Sequence, residues 1–187
     1  MKHLLLRFGL VFLGANLANS QTSINWNSTS GTDFATGSNW SGGVAPANDL
    51  TSNIASFTSA TGAVGPVLAA NRSVAGLSFL AGGTGSVSFV LSGSATLTLG
   101  STGISQTAGR IETISLPLVL GAAQSWINTG TNGTLNVTGA VDLNGFSLGI
   151  QTGAGGATSS VNLTGVIRAC IQTSWNRIKR VGSKARL

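Results

Sequence analysis

The chain has few charged residues, and several reactive side chains are rare or missing. Only 7% of its 187 residues are charged, against about 25% in a typical soluble domain. Tyrosine is absent, and histidine and cysteine each occur once. Because water-facing helices need charged side chains, this shortage disfavours a helical protein. The single cysteine, Cys170, also excludes an internal disulfide framework.

Between residues 21 and 165 the shortage is stricter, since this stretch has no His, Cys, Lys or Tyr. Most nucleophiles and general bases of enzymes are therefore missing from it. Its acids are widely separated and form neither a local catalytic pair nor the Asp-rich turns of repeated calcium sites: Asp33, Asp49, Glu112 and Asp142. We therefore predict no enzyme activity, no cofactor and no metal site.

What the chain has in abundance is glycine and apolar residues. It contains 27 glycines, 42% of its residues are hydrophobic, and its mean hydropathy is +0.33. Disordered chains combine low hydrophobicity with high net charge. This composition therefore indicates folded β structure.

The formal net charge of +6 comes from the two ends of the chain. Lys2 and Arg7 lie near the N-terminus, and only Arg72 and Arg110 occur within residues 21–165. The last twenty residues hold the other basic side chains: Arg168, Arg177, Lys179, Arg180, Lys184 and Arg186. Two basic residues against four acids give the stretch 21–165 a net charge of −2. A nucleic-acid partner is therefore disfavoured.

Residues 1–20 have the three parts of a secretory signal peptide. Lys2 and Arg7 supply the basic start, an apolar run follows from Phe8, and small residues precede Gln21. The apolar run is much shorter than the ~20 residues that cross a bilayer. We predict cleavage after Ser20 and export of the protein.

Residues 21–63 form an entry segment in which aromatic residues are separated by turn-forming residues. We interpret Trp26, Trp40, Phe34 and Phe57 as side chains that cap or fill the end of a β core. The alternative is a carbohydrate-stacking surface made by Trp26 and Trp40, which requires exposed rings. No polar cluster lies beside them in sequence to hold sugar hydroxyls, which favours the core interpretation.

Residues 64–165 alternate apolar and polar side chains in short runs between Gly, Ser, Asn and Thr. This pattern predicts about eight short strands, with no room for helices between them. A sandwich, a barrel or a β-solenoid would each fit. The segments GSATLTLG (93–100) and NGTLNVTG (132–139) are similar to each other, and imperfect repeats favour the solenoid.

Two segments carry motif residues in a characteristic order. The entry segment has aromatic and turn residues in this order: Trp26, Asn39, Trp40, Gly43, Pro46, Asp49, Ala55 and Phe57. The later segment has a recurring series of apolar and turn residues: Ile114, Leu118, Leu120, Gln124, Trp126, Leu135, Val137, Gly139, Gly145 and Leu148. The two segments resemble the usual start and the repeat of bacterial proteins that carry autotransporter-associated β-strand repeats. The resemblance covers about residues 24–165 and brings no catalytic residues with it. It implies a right-handed parallel β-helix outside the cell, within a longer passenger-like chain.

Residues 166–187 depart from this pattern, because they are basic and contain one glycine and one tryptophan. Ile167, Ile171, Trp175 and Ile178 are spaced as on one side of an amphipathic helix. Such a helix could contact a membrane surface. A disordered tail and the product of a shifted or truncated reading frame are the other interpretations.

Together these features predict a secreted or surface-displayed β-repeat protein with a structural or adhesive role. The first alternative is a carbohydrate-binding module of the cell surface, and the second is the remnant of a polysaccharide-degrading β-helix enzyme. Expected partners are surface polysaccharides or other cell-surface components. A solenoid without a polar cap exposes unpaired strand edges, so self-association through its last coil is also expected.

Overall fold

The computed structural model describes residues 20–58, 64–81, 87–153 and 158–169. The predicted signal peptide up to residue 19, and the tail from residue 170 onward, lie outside this part of the chain. Short 3₁₀ turns occupy Gly37–Asn39 and Ser41–Gly43. The strands are β1 (Thr22–Asn25), β2 (Asn53–Thr58), β3 (Arg72–Leu80), β4 (Val90–Leu91), β5 (Leu97–Gln106), β6 (Ile111–Ile114), β7 (Leu118–Leu120), β8 (Gln124–Asn128), β9 (Thr134–Val137), β10 (Val141–Asp142), β11 (Leu148–Thr152), β12 (Ser160–Leu163) and β13 (Ile167–Arg168).

These strands form a β-solenoid of about four turns, and strand accounts for 48% of the described residues and helix for 4%. Every ladder between the strands is parallel. Sandwiches are built from antiparallel strands. The solenoid prediction is therefore confirmed over the sandwich alternative. No helix within the described residues is long and apolar enough to cross a membrane.

Each turn of the solenoid passes three strand positions. In one coil these are β7, β8 and β9, and in the next they are β10, β11 and β12. The first two positions belong to the larger sheet, in which β3 and β5 are long enough to cover both. The third position forms the smaller sheet, β4-β6-β9-β12. The coils therefore stack in register along one axis.

Apolar side chains at matching positions fill the interior as columns. Leu97 pairs with Leu118, which in turn pairs with Val141, and all three are buried. Burying one such aliphatic side chain contributes about 1.5–3 kcal/mol. The alternation seen in the sequence places these residues inside and the residues that follow them, Thr98, Val119 and Asp142, outside, because successive side chains of a strand point to opposite faces.

Two buried amides continue one interior column and hold the turns between the two sheets. Gln106 lies in register with Asn128. The Nε2 of Gln106 donates to the carbonyl oxygen of Arg110 at 2.8 Å, and the Nδ2 of Asn128 donates to that of Gly133 at 2.9 Å. Turn carbonyls inside the protein need such partners, because an unpaired buried polar group costs about 1–3 kcal/mol.

The long strands β3 and β5 bend where they pass from the first to the second position. Their register shifts between Val74 and Gly76, and Gly76 pairs with Gly103. Gly103 has a φ of +67°, and a Cβ there would overlap the carbonyl oxygen of Ser125. Only glycine fits this close approach of two coils without strain. This corner also forms one edge of the groove described below.

The sheet extends beyond the predicted repeat boundaries at residues 64 and 165. β2 already pairs with β3, so residues 53–58 belong to the stack. At the other end β13 pairs with β10, which brings Ile167 and Arg168 into the stack as well. The predicted boundaries follow changes in amino-acid composition, whereas strand pairing depends on backbone register.

Candidate functional site

Trp26 and Trp40, the predicted carbohydrate-stacking pair, lie in the core. Each is 1% exposed, and their rings meet edge to face with centroids 5.0 Å apart. The Nε1 of Trp26 donates to the carbonyl oxygen of Val64 at 2.7 Å, and that of Trp40 donates to Phe34 at 2.8 Å. A sugar stacks on an exposed ring face, and neither ring offers one. The packing supports the core interpretation and gives the stacking role no geometric basis.

Two of the acids stabilise turns of the entry segment. Asp33 accepts from the hydroxyl of Thr36 at 2.6 Å, and this bond is the main reason its pKa is lowered. Asp49 accepts from the backbone N–H groups of Thr51 and Ser52 at 2.8 and 2.7 Å. These bonds, together with one from the Ser52 hydroxyl, lower the pKa of Asp49 to about 2. Both carboxylates cap turns, as Asp side chains commonly do.

Glu112 is buried inside the solenoid, where sequence reasoning gave it no role. Its Oε2 accepts from the backbone N–H of Phe89 at 2.6 Å, and its Oε1 lies 3.2 Å from the Nε of Arg110. Burial raises the pKa of Glu112, while the Phe89 N–H and the Arg110 guanidinium oppose that rise. The Arg110 side chain is 13% exposed. The pair therefore fixes the turn before β6 to the preceding coil.

The ionisable groups do not converge on a metal centre. Within the described residues no three His, Cys, Asp or Glu side chains lie close enough to hold a metal ion. Asp33, Asp49 and Glu112 each bond to a turn or to a neighbouring coil, as described above. These three acids therefore serve contacts within the fold.

A shallow groove of about 570 Å³ lies on the outside of the larger sheet, where β5, β8 and β11 pass in three successive coils. Its lining includes four hydroxyl side chains and two aliphatic ones: Ser101, Thr102, Ser125, Ser147, Ile127 and Leu148. None of the lining residues carries a charge. The groove can therefore offer hydrogen bonds and small apolar patches to a neutral ligand.

Hydrogen bonds beneath the groove hold its floor in place. Gln124 is buried, and its Nε2 donates to the carbonyl oxygen of Leu99 in the preceding coil at 3.2 Å. Its Oε1 accepts from the Nε1 of Trp126 at 3.0 Å. Because Trp126 is itself fully buried, Gln124 is fixed from two sides. The groove is therefore preformed, which lowers the entropic cost of binding.

The smaller sheet carries a second neutral surface on its outside. Side chains of β9 and β12 pair across coils in register: the amides of Asn136 and Asn162 at 3.0 Å, and the hydroxyls of Thr134 and Ser160 at 3.2 Å. Two residues before these strands, the hydroxyl of Thr158 donates to the side-chain oxygen of Asn132 at 2.6 Å and extends the array. This surface is flat and polar, and we call it the amide ladder.

No family model, curated protein or solved structure matches the chain. The candidate site is therefore assigned on geometry alone.

Sequence reasoning did not find the groove. It is assembled from serines, threonines and glycines that are individually common in the chain, and they meet only because three coils stack in register. The serines are staggered from coil to coil, since Ser125 pairs with Gly149 while Ser147 precedes Leu148, which pairs with Gln124. No repeated position in the sequence therefore marks the groove before the register is known.

Proposed function

We propose that the chain is an exported structural or adhesive module of the cell surface and that it has no catalytic activity. The observation that carries this proposal is the uncharged groove, which is built across three coils and lined by hydroxyls. Contacts of this kind are individually weak. Many copies displayed on one surface would add their contacts through multivalency.

The outer surface supports an adhesive role better than an enzymatic one. The amide ladder and the groove lining contain hydroxyls, amides and short aliphatic groups. These groups bind by hydrogen bonding and shape, whereas hydrolysis of glycosides needs two carboxyl groups facing a bond. The acids of the entry segment are occupied by turn hydrogen bonds instead.

A neutral polysaccharide is the ligand class that suits the groove. Hydroxyls such as those of Ser101, Ser125 and Ser147 can exchange hydrogen bonds with sugar hydroxyls, and Ile127 can contact a sugar's apolar face. An anionic polymer would find no basic side chain in this lining. This observation also favours carbohydrate binding as a second candidate function, through the groove and not through Trp26 and Trp40.

A retention assay tests the proposal. The mature chain, residues 21–187, is passed over immobilised amylose, cellulose and polygalacturonate. We expect retention on at least one of the two neutral polymers, with little dependence on salt, because no ion pair is involved. Ala123→Arg places a long charged side chain at the exposed edge of the groove. It should weaken retention about tenfold, equivalent to about 1.4 kcal/mol.

Thr129→Arg is the matched control, because Thr129 is exposed just beyond β8 and outside the groove lining. It makes the same change of charge and should leave retention unchanged. Retention on polygalacturonate alone, or equal losses in both variants, would contradict the role of the groove. Release of reducing sugars by the purified chain would contradict the absence of catalysis.

Export is tested separately by the intact mass of protein recovered outside the cell. Cleavage after Ser20 should leave a chain that begins at Gln21. Recovery of the chain with residues 1–20 still attached, and only from the cytoplasm, would contradict the proposed location.

A further inference from the structure

The chain contains two Asn-Gly dipeptides, Asn132-Gly133 and Asn144-Gly145. Asparagine is one of the chemically labile residues of proteins. It is lost when the backbone nitrogen of the next residue attacks the carbonyl carbon of its side chain, and a glycine nitrogen is the least hindered because glycine has no Cβ. Two copies of the same dipeptide therefore show what the fold adds to the local sequence.

The fold leaves the backbone nitrogen of Gly145 accessible. Asn144 and Gly145 are both exposed, with φ values of +46° and +80°. They are the central residues of a tight turn, which is closed by a bond from the backbone N–H of Phe146 to the carbonyl oxygen of Leu143 at 2.7 Å. Within the described residues the N–H of Gly145 has no acceptor. A Cβ at Gly145 would meet no atom within 4 Å, so the space around it is open.

The side-chain amide of Asn144 is only weakly held. Its Nδ2 donates to the carbonyl oxygen of Leu120 at 3.3 Å, which is long for a hydrogen bond. Its Oδ1 accepts no hydrogen bond from any residue that the structure describes. The backbone N–H of Asn144 donates to the carboxylate of Asp142 at 2.8 Å and keeps the turn in place. The carbonyl carbon of this amide can therefore be attacked.

In Asn132-Gly133 both reacting groups are held. The N–H of Gly133 donates to the carbonyl oxygen of Gly130 at 2.8 Å, and Gly133 is buried. Its carbonyl oxygen accepts from the Nδ2 of Asn128 at 2.9 Å. The Oδ1 of Asn132 accepts from the hydroxyl of Thr158 at 2.6 Å, across to the next coil. These contacts must open before the nitrogen can reach the side chain.

We propose that Asn144 is a site of self-modification, at which the folded chain converts asparagine to aspartate and isoaspartate while Asn132 is preserved. The nitrogen of Gly145 forms a bond to the Cγ of Asn144, the bond from Cγ to Nδ2 breaks, and Nδ2 leaves as ammonia with the proton of the Gly145 N–H. One water molecule then opens the resulting cyclic imide. Opening at Cγ gives aspartate, and opening at the backbone carbonyl carbon gives isoaspartate.

The modification changes charge and geometry beside the groove. Both products add a carboxylate to a turn that already contains Asp142, and neither can donate a hydrogen bond to the carbonyl oxygen of Leu120. Isoaspartate also lengthens the main chain between β10 and β11. Ser147 and Leu148, which line the groove, follow this turn directly. The reaction itself does not depend on the proposed binding function.

Peptide mapping by tandem mass spectrometry tests the proposal on the unaltered mature chain. One sample is incubated folded at mildly alkaline pH, a second is incubated in urea, and a third is digested without incubation as the baseline. In the folded sample we expect replacement of the amide by a carboxyl group at Asn144 to be about tenfold faster than at Asn132, because several hydrogen bonds protect Asn132. In urea the two rates should become similar, because both asparagines precede glycine.

Anion-exchange chromatography provides a second readout with matched variants. The incubated folded chain should develop a more acidic species, because each conversion adds one negative charge. Asn144→Gln should abolish this species, since the longer side chain would have to close a larger ring. Asn132→Gln is the matched control and should form the acidic species as fast as the unaltered chain. Circular dichroism checks that both variants keep the β content of the unaltered chain.

Three results would overturn the proposal. The first is equal conversion of Asn132 and Asn144 in the folded chain. The second is an Asn144 that stays intact in the folded chain over the time in which the urea-unfolded chain converts both asparagines. The third is an acidic species that still forms in a folded Asn144→Gln, because another residue would then be its source.

Discussion

The two ends of the solenoid are closed in different ways. At the N-terminal end Trp26, Phe34 and Trp40 form a compact aromatic cluster, each 1% exposed. Within the described residues, the C-terminal end has only aliphatic side chains at the matching depth, and Ile150 and Ile167 are half exposed. The same stacking of coils therefore gives a covered core at the N-terminal end and a partly exposed core at the end of the described residues.

The difference indicates that stability varies along the axis. A solenoid coil contacts only its neighbours, so its stability is the sum of its own contacts and two interfaces. Each terminal coil has one strand interface within the described residues, but at the N-terminal end the aromatic cluster covers the core, whereas the last described coil has no such cover. We expect opening to begin at β11–β13 and to reach the aromatic end last.

The largest effect is expected from Trp40→Ala. The Trp40 ring packs against Trp26, Phe34 and Phe57 with centroid distances of 5.0, 4.9 and 5.9 Å. Truncating it leaves a cavity in the closed end and should reduce the free energy of unfolding by about 3–5 kcal/mol. Urea denaturation followed by circular dichroism measures this loss. Val44→Ala, on the exposed surface nearby, should change stability by no more than about 0.5 kcal/mol.

Ile104 and Ile150 allow the two ends to be compared within one column, because both are in register with Trp126. Ile104 is buried beneath further coils, so Ile104→Ala should cost about 2–5 kcal/mol. Ile150 is half exposed, and Ile150→Ala should cost less than about 1 kcal/mol. The same urea experiment measures both. Equal losses would mean that the last coil is as well covered as the middle of the stack.

Two glycines with positive φ, one packed between coils and one in open space, allow a similar comparison of stability losses. Gly103, at the corner of β5, has a φ of +67° and directly contacts the next coil. Gly42, in the entry segment, has a φ of +79°, and a Cβ there would meet no atom within 4 Å. Gly42→Ala should cost only the backbone strain of about 1–2 kcal/mol. Gly103→Ala should cost more, since a carbonyl must also shift; similar thermal midpoints for both variants would argue against tight contact at that corner.

The smallest effect is expected in the pH dependence of stability. Burial raises the pKa of Glu112 above its ordinary 4.5, so its contribution is present below pH 4.5 and is lost as the pH rises through the folded pKa. Asp49 has a lowered pKa of about 2, so its contribution is present above its ordinary 3.8 and is lost on acidification. The two regions therefore respond to pH in opposite directions.

Urea midpoints between pH 4.5 and pH 8 isolate the Glu112 effect. Glu112→Gln should flatten the decline of the midpoint with rising pH, because the amide cannot ionise. Asp49→Asn should leave that range unchanged and alter only the acid range below pH 4. If the urea midpoint of Glu112→Gln falls with rising pH as steeply as that of the unaltered chain, this carboxyl does not cause the decline.

Much of the stack was predictable from alternation, but the strands at its start were not. Leu97, Leu99, Leu118 and Leu120 alternate regularly, and they lie in β5 and β7 as expected. In β3 the alternation fails, since Val74 and Leu77 are both buried although an odd number of positions apart. The register shift there reverses the inward and outward positions, and a search for period two does not cross it.

The site was less predictable than the fold. Aromatic residues suggest a binding role in a sequence because they are large and rare. The rings of Trp26 and Trp40, however, are buried in the core. The groove, by contrast, consists of common small residues whose only distinctive property is mutual position. Alternation predicts which face a residue occupies, whereas the loop lengths that set coil register have no comparable periodic signal.

The amide ladder has a consequence for how such a gene can change in length. Asn136 and Asn162 occupy the same position in consecutive coils, 26 residues apart, and their bond requires the stretch between them to keep the length of one turn. Duplicating one complete coil in frame would recreate the same neighbours and lengthen the rod. Inserting a single codon within a strand would turn its interior side chains outward. Insertions and duplications that preserve the fold are therefore expected to change the chain length by whole coils.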